Sequence, residues 1–164
     1  WPEQREANIA GHFTATTVTT ASDCSAIVTG ALGELMVSQQ LTKRGWTVCV
    51  PMVGGNASHF DLVATKGELV HRIQVKASSR LCTNGAYVWG ASKGSKAKRA
   101  KTAYSLTDFI ILVFVTEPTI YLVMPVEKVS KIQTVKTKAG GKYWPFHERW
   151  DLLELGHDEP AGEC

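Results

Sequence analysis

Three polar residues lie in short apolar runs of the kind that form strands. Asp61 lies in the run 59–64. Gln74 follows thirteen residues after Asp61, and it lies with Lys76 in the run 73–76. Both runs are rich in residues that favour strands. A carboxylate, an amide oxygen and an ammonium brought together can bind charged groups and stabilise negative charge. These two runs are therefore where the sequence most clearly predicts chemistry.

The segment between the two runs predicts a hairpin. Gly67 and Glu68 can form a two-residue type II′ turn, which favours glycine at its first central position. This turn sets Asp61 directly across from Gln74 and leaves Gln74 and Lys76 on one face. The opposite face takes the remaining side chains of the second strand, Leu69, His71, Ile73, Val75 and Ala77. The simple alternative is a hairpin whose polar face only meets water, as in many antiparallel sheets.

A second acid comes from a predicted helix upstream. Apolar residues recur at helical spacing over 27–41, and the pattern ends before Gly45. Glu34 lies inside this segment, so we expect it on a helix just before the first strand. Two acids, an amide and a lysine then come from three separate elements.

This order of residues resembles the PD-(D/E)xK nuclease superfamily, in which a helix glutamate, a strand aspartate and an acid-x-Lys strand hold a divalent metal. By that resemblance Glu34, Asp61, Gln74 and Lys76 take these four positions. The sequence is similar to archaeal Holliday-junction resolvases and still more to intron-encoded homing endonucleases that carry Gln-Val-Lys, which is the sequence of 74–76 here. The likeness extends from about Gly30 to Lys76.

Two departures from the family motif affect the implied metal site. Phe60 replaces the proline that names the motif, but that proline contributes no metal-binding side chain. Gln74 replaces the third acid, which leaves two carboxylates and favours one tightly held ion over two. Magnesium prefers oxygen ligands, and the implied set is Glu34, Asp61, the Gln74 amide, the Val75 carbonyl and solvent, with Mn²⁺ able to substitute.

The resemblance implies phosphodiester hydrolysis by a metal-activated water. Lys76 would face that water or the scissile phosphate. As an ammonium it stabilises negative charge, whereas a general base would need a lowered pKa that nearby carboxylates oppose. We therefore expect Lys76 to act electrostatically.

Charge is unevenly distributed along the chain. Residues 1–145 carry 17 lysines and arginines against 9 acids, whereas 146–164 carry 1 against 6. Two basic clusters suit a phosphate backbone, although a solvated basic face is the alternative for each. The second cluster comprises Lys128, Lys131, Lys136, Lys138 and Lys142. The first cluster comprises Lys93, Lys96, Lys98, Arg99 and Lys101. Together with Ser78 and Arg80, which follow the 73–76 run, these residues are the candidate DNA contacts.

The aromatic pair Tyr87 and Trp89 leaves two interpretations open. Side chains that alternate in a strand are usually core, but these two rings could also stack on a base or wedge into a groove. The four cysteines show no zinc-ligand spacing and predict buried or free thiols, namely Cys24, Cys49, Cys82 and Cys164.

The predicted elements give one α/β domain with a mixed sheet flanked by helices in αβββαβ order, which the resemblance specifies as a restriction-endonuclease-like core. We expect an N-terminal arm over 1–23, the nuclease domain over 24–155 and an acidic tail over 156–164. The predicted helices cover 25–44, 96–104 and 127–136, and an aromatic closing element covers 143–155. The predicted strands are 46–51, 59–65, 69–77, 108–116 and 119–125.

No apolar run reaches bilayer length and no signal peptide is visible, so we expect an intracellular protein of the cytoplasm or nucleoid. A viral or mobile-element origin is an open alternative. A homodimer or homotetramer would match the two strands of a duplex or a DNA junction. The expected function is a metal-dependent DNA endonuclease, and the Gln-Val-Lys triplet favours the homing type. The alternatives are a Holliday-junction resolvase, a catalytically inactive DNA-binding relative, and a regulatory or interaction protein on the same scaffold. The DNA sequence or structure recognised is not predicted, because no reading helix or zinc finger is recognisable.

Overall fold

The computed structural model describes residues 26–51, 60–90, 106–129 and 134–155. It contains helices α1 (Ala26–Lys43) and α2 (Val126–Val129), strands β1 (Thr47–Cys49), β2 (Leu62–Lys66), β3 (Leu69–Ser78), β4 (Tyr87–Gly90), β5 (Phe109–Phe114), β6 (Ile120–Pro125) and β7 (Thr134–Thr137), and 3-10 helices Trp144–Phe146 and Trp150–Leu153.

Helix α1 confirms the helix predicted over 25–44. Its buried residues recur every four positions, which gives the helix one face for packing on the sheet, and they are Thr29, Gly33, Val37 and Leu41. The helix ends at Lys43, and the chain turns at Gly45, whose φ of +81° is a conformation that glycine adopts without strain. The Trp46 N–H then donates to the Leu41 carbonyl at 3.1 Å and caps the last turn.

The predicted hairpin is present as β2 and β3. Lys66 pairs with Leu69 across a two-residue turn in which Gly67 has a φ of +59°. From this turn the ladder extends to the pair Leu62 and Ile73, and Asp61 is the first residue beyond its open end. The turn and the register that it sets are therefore confirmed, and Asp61 leaves the ladder at the point where its side chain can reach β3.

The main sheet is mixed, with strand order β1-β2-β3-β5-β6. Only the β3–β5 pair is parallel in this sheet. Parallel strands need a long connection, and β3 and β5 are separated by thirty residues of sequence. Every residue of β5 is buried, as expected for a central strand covered on both faces. The strands predicted over 108–116 and 119–125 are confirmed as the antiparallel pair β5 and β6.

Each face of this sheet has its own hydrophobic cluster. Helix α1 covers the face that carries Ile73, Val75 and Ile111. A second small sheet, in which β4 pairs antiparallel with β7, covers the face that carries Ile110 and Leu112. The closing element 143–155 forms the two 3-10 helices and lies along β6, where the Glu148 N–H donates to the Tyr121 carbonyl at 3.0 Å. This contact protects an edge strand from pairing with another chain.

The helix predicted over 127–136 is wrong. Helix α2 ends at Val129, and Thr134–Thr137 is a strand that alternates between exposed and buried residues. Pairing with β4, more than forty residues earlier in the chain, overrides any local preference for helix. The helix predicted over 96–104, the arm 1–23 and the tail 156–164 lie outside the described residues. Within the described ranges, no helix has both the length and the apolar character to cross a membrane.

Candidate active site

Asp61 is held at the open end of the β2–β3 hairpin by backbone and side-chain hydrogen bonds. Its N–H donates to the Ile73 carbonyl at 2.8 Å. Its Oδ2 accepts a hydrogen bond from the Val75 N–H at 2.7 Å and a second, very short one from the Gln74 amide nitrogen. Strand β2 begins only at Leu62, so at Asp61 a side-chain carboxylate takes the place of a partner strand, and its orientation is fixed.

Gln74 is buried, with 3 % of its surface exposed. Its Nε2 donates to Asp61 Oδ2 and lies 3.4 Å from the Val75 carbonyl oxygen. Its Oε1 is buried and has no hydrogen-bond partner among the described residues. A buried polar atom left unpaired costs about 1–3 kcal/mol, so turning the amide to bring this oxygen to a ligand would recover that cost. The solvated-hairpin alternative does not hold at Gln74, because protein rather than water covers this residue.

Glu34 lies on α1, which packs closely on the sheet at the neighbouring residue Gly33. A Cβ at Gly33 would lie 2.5 Å from the Ala77 Cβ and 2.9 Å from Val113 Cγ1, so only glycine permits this approach. The pKa of Glu34 is raised by desolvation and then by the negative charge of Asp61, whereas the Lys76 ammonium lowers it. The structure therefore brings Glu34 within electrostatic range of both Asp61 and Lys76.

The donor atoms at this site suit a hard divalent cation. Glu34, Asp61, the Val75 carbonyl and the unpaired Gln74 Oε1 are all oxygen ligands, which Mg²⁺ and Mn²⁺ prefer. Among the described residues no cluster contains three or more His, Cys, Asp or Glu side chains suited to a metal. In the structure the amide nitrogen faces Asp61 and Val75, and a cation between these oxygens requires the amide to turn so that Oε1 faces it.

Ser78 and Arg80 occupy different environments at the end of β3. Ser78 is buried, and its Oγ accepts a hydrogen bond from the Arg80 N–H at 3.1 Å, which is a turn contact. Arg80 is exposed. The other candidate DNA contacts lie outside the described residues and comprise Lys93, Lys96, Lys98, Arg99 and Lys101. Of the four cysteines, Cys49 and Cys82 fall in the described ranges and are free thiols.

The aromatic pair is resolved in favour of the core. Trp89 is fully buried, and its Nε1 donates to the Val113 carbonyl at 2.9 Å. Tyr87 packs edge-to-face on Phe114, with ring centroids 4.7 Å apart. Neither ring is presented to a base as the alternative would require.

Sequence reasoning missed two features of the site. It did not find that Gln74 donates to Asp61, because the direction of an amide depends on contacts made only in the folded chain. It also did not find the role of Gly33. The one signal that could have revealed it is a glycine inside a helical pattern, one residue before a candidate ligand, since such a glycine usually has a packing reason.

Comparisons with known proteins identify the family to which the chain belongs. The sequence model of the PD-(D/E)XK endonuclease family matches residues 26–141. Protein 5.3 of Escherichia phage T7 is 32 % identical over 90 residues, which covers 55 % of this chain and 72 % of the phage protein.

Two solved structures are also similar in fold. The bacterial homing endonuclease I-Ssp6803I is 22 % identical, with a TM-score of 0.64, and the match covers 79 % of this chain and 91 % of that one. The Holliday junction resolvase Hjc of Archaeoglobus fulgidus is 17 % identical, with a TM-score of 0.48, covering 76 % of this chain and 95 % of that one. The likeness to the first confirms the restriction-endonuclease-like fold class. With a family match that covers most of its length, the chain belongs to the PD-(D/E)XK endonuclease family.

Proposed function

We propose that the protein is a Mg²⁺-dependent DNA endonuclease of the homing type, which hydrolyses phosphodiester bonds in duplex DNA. The observation that carries this proposal is the Asp61 carboxylate, which the Val75 N–H and the Gln74 amide fix in place. Glu34 lies within electrostatic range of it, and desolvation and then the charge of Asp61 raise the pKa of Glu34. Groups whose pKa values are perturbed by neighbouring charges gather at functional sites. The matched family supports the same reaction class.

Glu34, Asp61, the Gln74 Oε1 and the Val75 carbonyl would hold the ion. A bound Mg²⁺ supplies a more acidic water and neutralises charge on the phosphate. The backbone bond from Val75 holds the Asp61 carboxylate in place without help from solvent. Two carboxylates give the site a charge of minus two, which suits one tightly bound divalent ion and leaves any second ion weak.

Lys76 would stabilise the charge that builds up on the attacked phosphate. Its charge already acts on Glu34, so the ammonium lies within electrostatic range of the carboxylates. An ammonium fixed beside a reacting phosphate needs no reorganisation during the reaction, which is why such groups contribute strongly to rate. Lys76 therefore acts as a cation and not as the base.

The homing type is favoured over the other nucleases by the triplet Gln74-Val75-Lys76 together with the fold shared with a homing endonuclease. An inactive DNA-binding relative is the second candidate. It is favoured by a specific observation, namely that an amide occupies the position of the family's third acid and donates to Asp61. Relatedness to a phage protein supports an origin in a virus or a mobile element.

A substrate panel tests the proposal. Purified protein is incubated with Mg²⁺ and with supercoiled plasmid, linear duplex, four-way junction, single-stranded DNA and RNA. We expect cleavage of duplex at defined positions, no cleavage in EDTA, and loss of cleavage in Asp61→Asn. Preferential cutting of the junction would replace the homing type with a resolvase. Salt-sensitive DNA binding without cleavage in Mg²⁺ or Mn²⁺ would establish the inactive relative instead.

A homodimer is the proposed assembly, and an exposed apolar stripe on α1 supports it. Ile27 and Leu35 are 85 % and 69 % exposed, and with Ala31 they recur every four residues on the outer face of the helix. Two copies of this stripe could pack on each other across a two-fold axis. Light scattering on Leu35→Glu and on the wild type tests this, because a monomeric variant beside a dimeric wild type is the expected result.

A further inference from the structure

The two-stranded ribbon formed by β4 and β7 presents a small basic outer face. Val135 and Thr137 of β7 point inward and are buried, whereas Thr134 and Lys136 are exposed. Lys138 follows directly and is also exposed. Lysines at alternate positions of a strand share one face, so β7 presents two ammonium groups on the same side.

The inner face fixes the ribbon to the body of the protein. Trp89 is fully buried on this side and donates to the backbone of β5. Val135, its pairing partner, is fully buried as well. A ribbon anchored by a buried indole holds its outer face rigidly, which lowers the entropy cost of binding a partner there.

Nothing described on the outer face neutralises the lysines. In the described ranges neither Lys136 nor Lys138 makes an ion pair with an acid. Both line an open cleft of about 350 Å³, whose described lining includes Thr83 and Asn84 but no acid. At Gly90, beside Thr134, a Cβ would meet nothing within 4 Å, so the surface there is open. An unneutralised basic ribbon flanked by small residues is complementary to a phosphate backbone.

The ribbon lies close to the strand that carries Lys76. The Val88 N–H donates to the Arg80 carbonyl at 3.1 Å, and Val88 pairs with Lys136. Arg80 follows Lys76 by four residues, which span at most about 14 Å of extended chain. Two further strand spacings of about 4.8 Å each bring the total to less than about 24 Å. At about 3.4 Å per base pair, this corresponds to no more than about seven base pairs.

We propose that the outer face of the β4–β7 ribbon, through Lys136 and Lys138, binds the backbone of duplex DNA within about seven base pairs of the cleaved bond. This inference rests on the proposed function. The major groove of DNA is wide enough to admit a two-stranded ribbon, and the phosphates of duplex DNA carry a dense negative charge that complements this basic face. The sequence after Gly90 also runs directly into the first basic cluster, so the ribbon and that cluster adjoin along the chain.

The test compares a double variant, Lys136→Gln with Lys138→Gln, with the wild type. Binding to a fluorescent duplex that contains the site cut by the wild type is measured by anisotropy in EDTA at several salt concentrations. Loss of two phosphate contacts should weaken binding and reduce the slope of log affinity against log salt by about 1.8. Lys43→Gln is the matched control, because Lys43 ends α1 on the opposite face of the main sheet. It should leave affinity and slope unchanged.

A photo-crosslinking amino acid at Thr134 gives a second readout. We expect crosslinks to the duplex within about seven base pairs of the mapped cut. If the wild type cleaves but the double variant binds with the same affinity and slope, and Thr134 gives no crosslink, the ribbon inference is wrong while the nuclease proposal stands. If the wild type neither binds nor cleaves DNA, the proposed function fails, and the inference that rests on it fails too.

Discussion

Replacing Gln74 with glutamate tests whether its amide faces Asp61. Gln74→Glu removes the hydrogen bond to Asp61 and places a second carboxylate against the first, at a position that is 3 % exposed. Two like charges about 4 Å apart repel by about 4 kcal/mol at an effective dielectric constant of about 20. The lost charged hydrogen bond is worth about 1.5–3 kcal/mol, and relaxation offsets part of the sum. Without divalent ions at pH 8, we expect the free energy of unfolding to fall by about 3–5 kcal/mol.

The assay is thermal and urea unfolding with and without Mg²⁺. For a chain of this length the expected loss corresponds to a fall of about 10 °C in melting temperature. Mg²⁺ should restore most of it, because a third carboxylate strengthens the site for a cation, so the variant gains more from the ion than the wild type does. Lowering the pH should also reduce the difference in unfolding free energy between the variant and the wild type, since one of the two carboxyl groups then takes up a proton.

Gln39→Glu is the matched control, because it introduces the same charge at an exposed position of α1. It should change stability by less than about 0.5 kcal/mol and leave the response to Mg²⁺ unaltered. If Gln74→Glu proves as stable as the wild type without metal, and Mg²⁺ stabilises both proteins equally, the geometry assigned to Gln74 is wrong.

Three further predictions concern the packing of α1, the role of Lys76 and the ion pair of Asp108 with Arg72. Gly33→Ala overpacks the helix against the sheet, so it should lower the free energy of unfolding by about 1–3 kcal/mol and slow cleavage. Gly30→Ala is the control, because Gly30 has open space around it, and it should stabilise α1 by about 0.5–1 kcal/mol. Equal stabilities of the two variants in urea would contradict this prediction. Lys76→Met should slow cleavage about 100-fold while DNA binding persists, and unchanged single-turnover rates would refute the electrostatic role. Burial would raise the pKa of Asp108, but hydrogen bonds from Arg72 leave that pKa lower than usual. The pair therefore stabilises the fold at neutral pH and loses this effect as the pH falls through the lowered pKa. Asp108→Asn should lower the free energy of unfolding by about 1.5–3 kcal/mol at pH 7 and by progressively less in acid. A difference between variant and wild type that does not change with pH would contradict this prediction.

The hairpin was predictable because its signals are local. Gly67 at the first position of a two-residue turn fixes the register, and the register in turn brings Asp61 beside Gln74. The same holds for α1, where a four-residue repeat of buried positions ends in a glycine cap. Such elements depend on residues close in sequence, and the pattern therefore contained the information.

Strand β7 was not predictable in this way. Thr134–Thr137 forms a strand because it pairs with Tyr87–Gly90 and because Val135 packs in a core that other elements build. The close approach at Gly33 likewise depends on which residues of β3 and β5 lie beneath α1. Contacts between distant segments decide both features, and a single sequence does not state those contacts.

Anomalous diffraction from crystals soaked in Mn²⁺ tests the central claim most directly, because it locates the ion without any assumption about activity. We predict one strong peak within coordination distance of Asp61 and Glu34, with the Gln74 amide turned so that Oε1 contacts the ion. No peak at Asp61, or a peak with Gln74 Nε2 still donating to Asp61, would contradict the account.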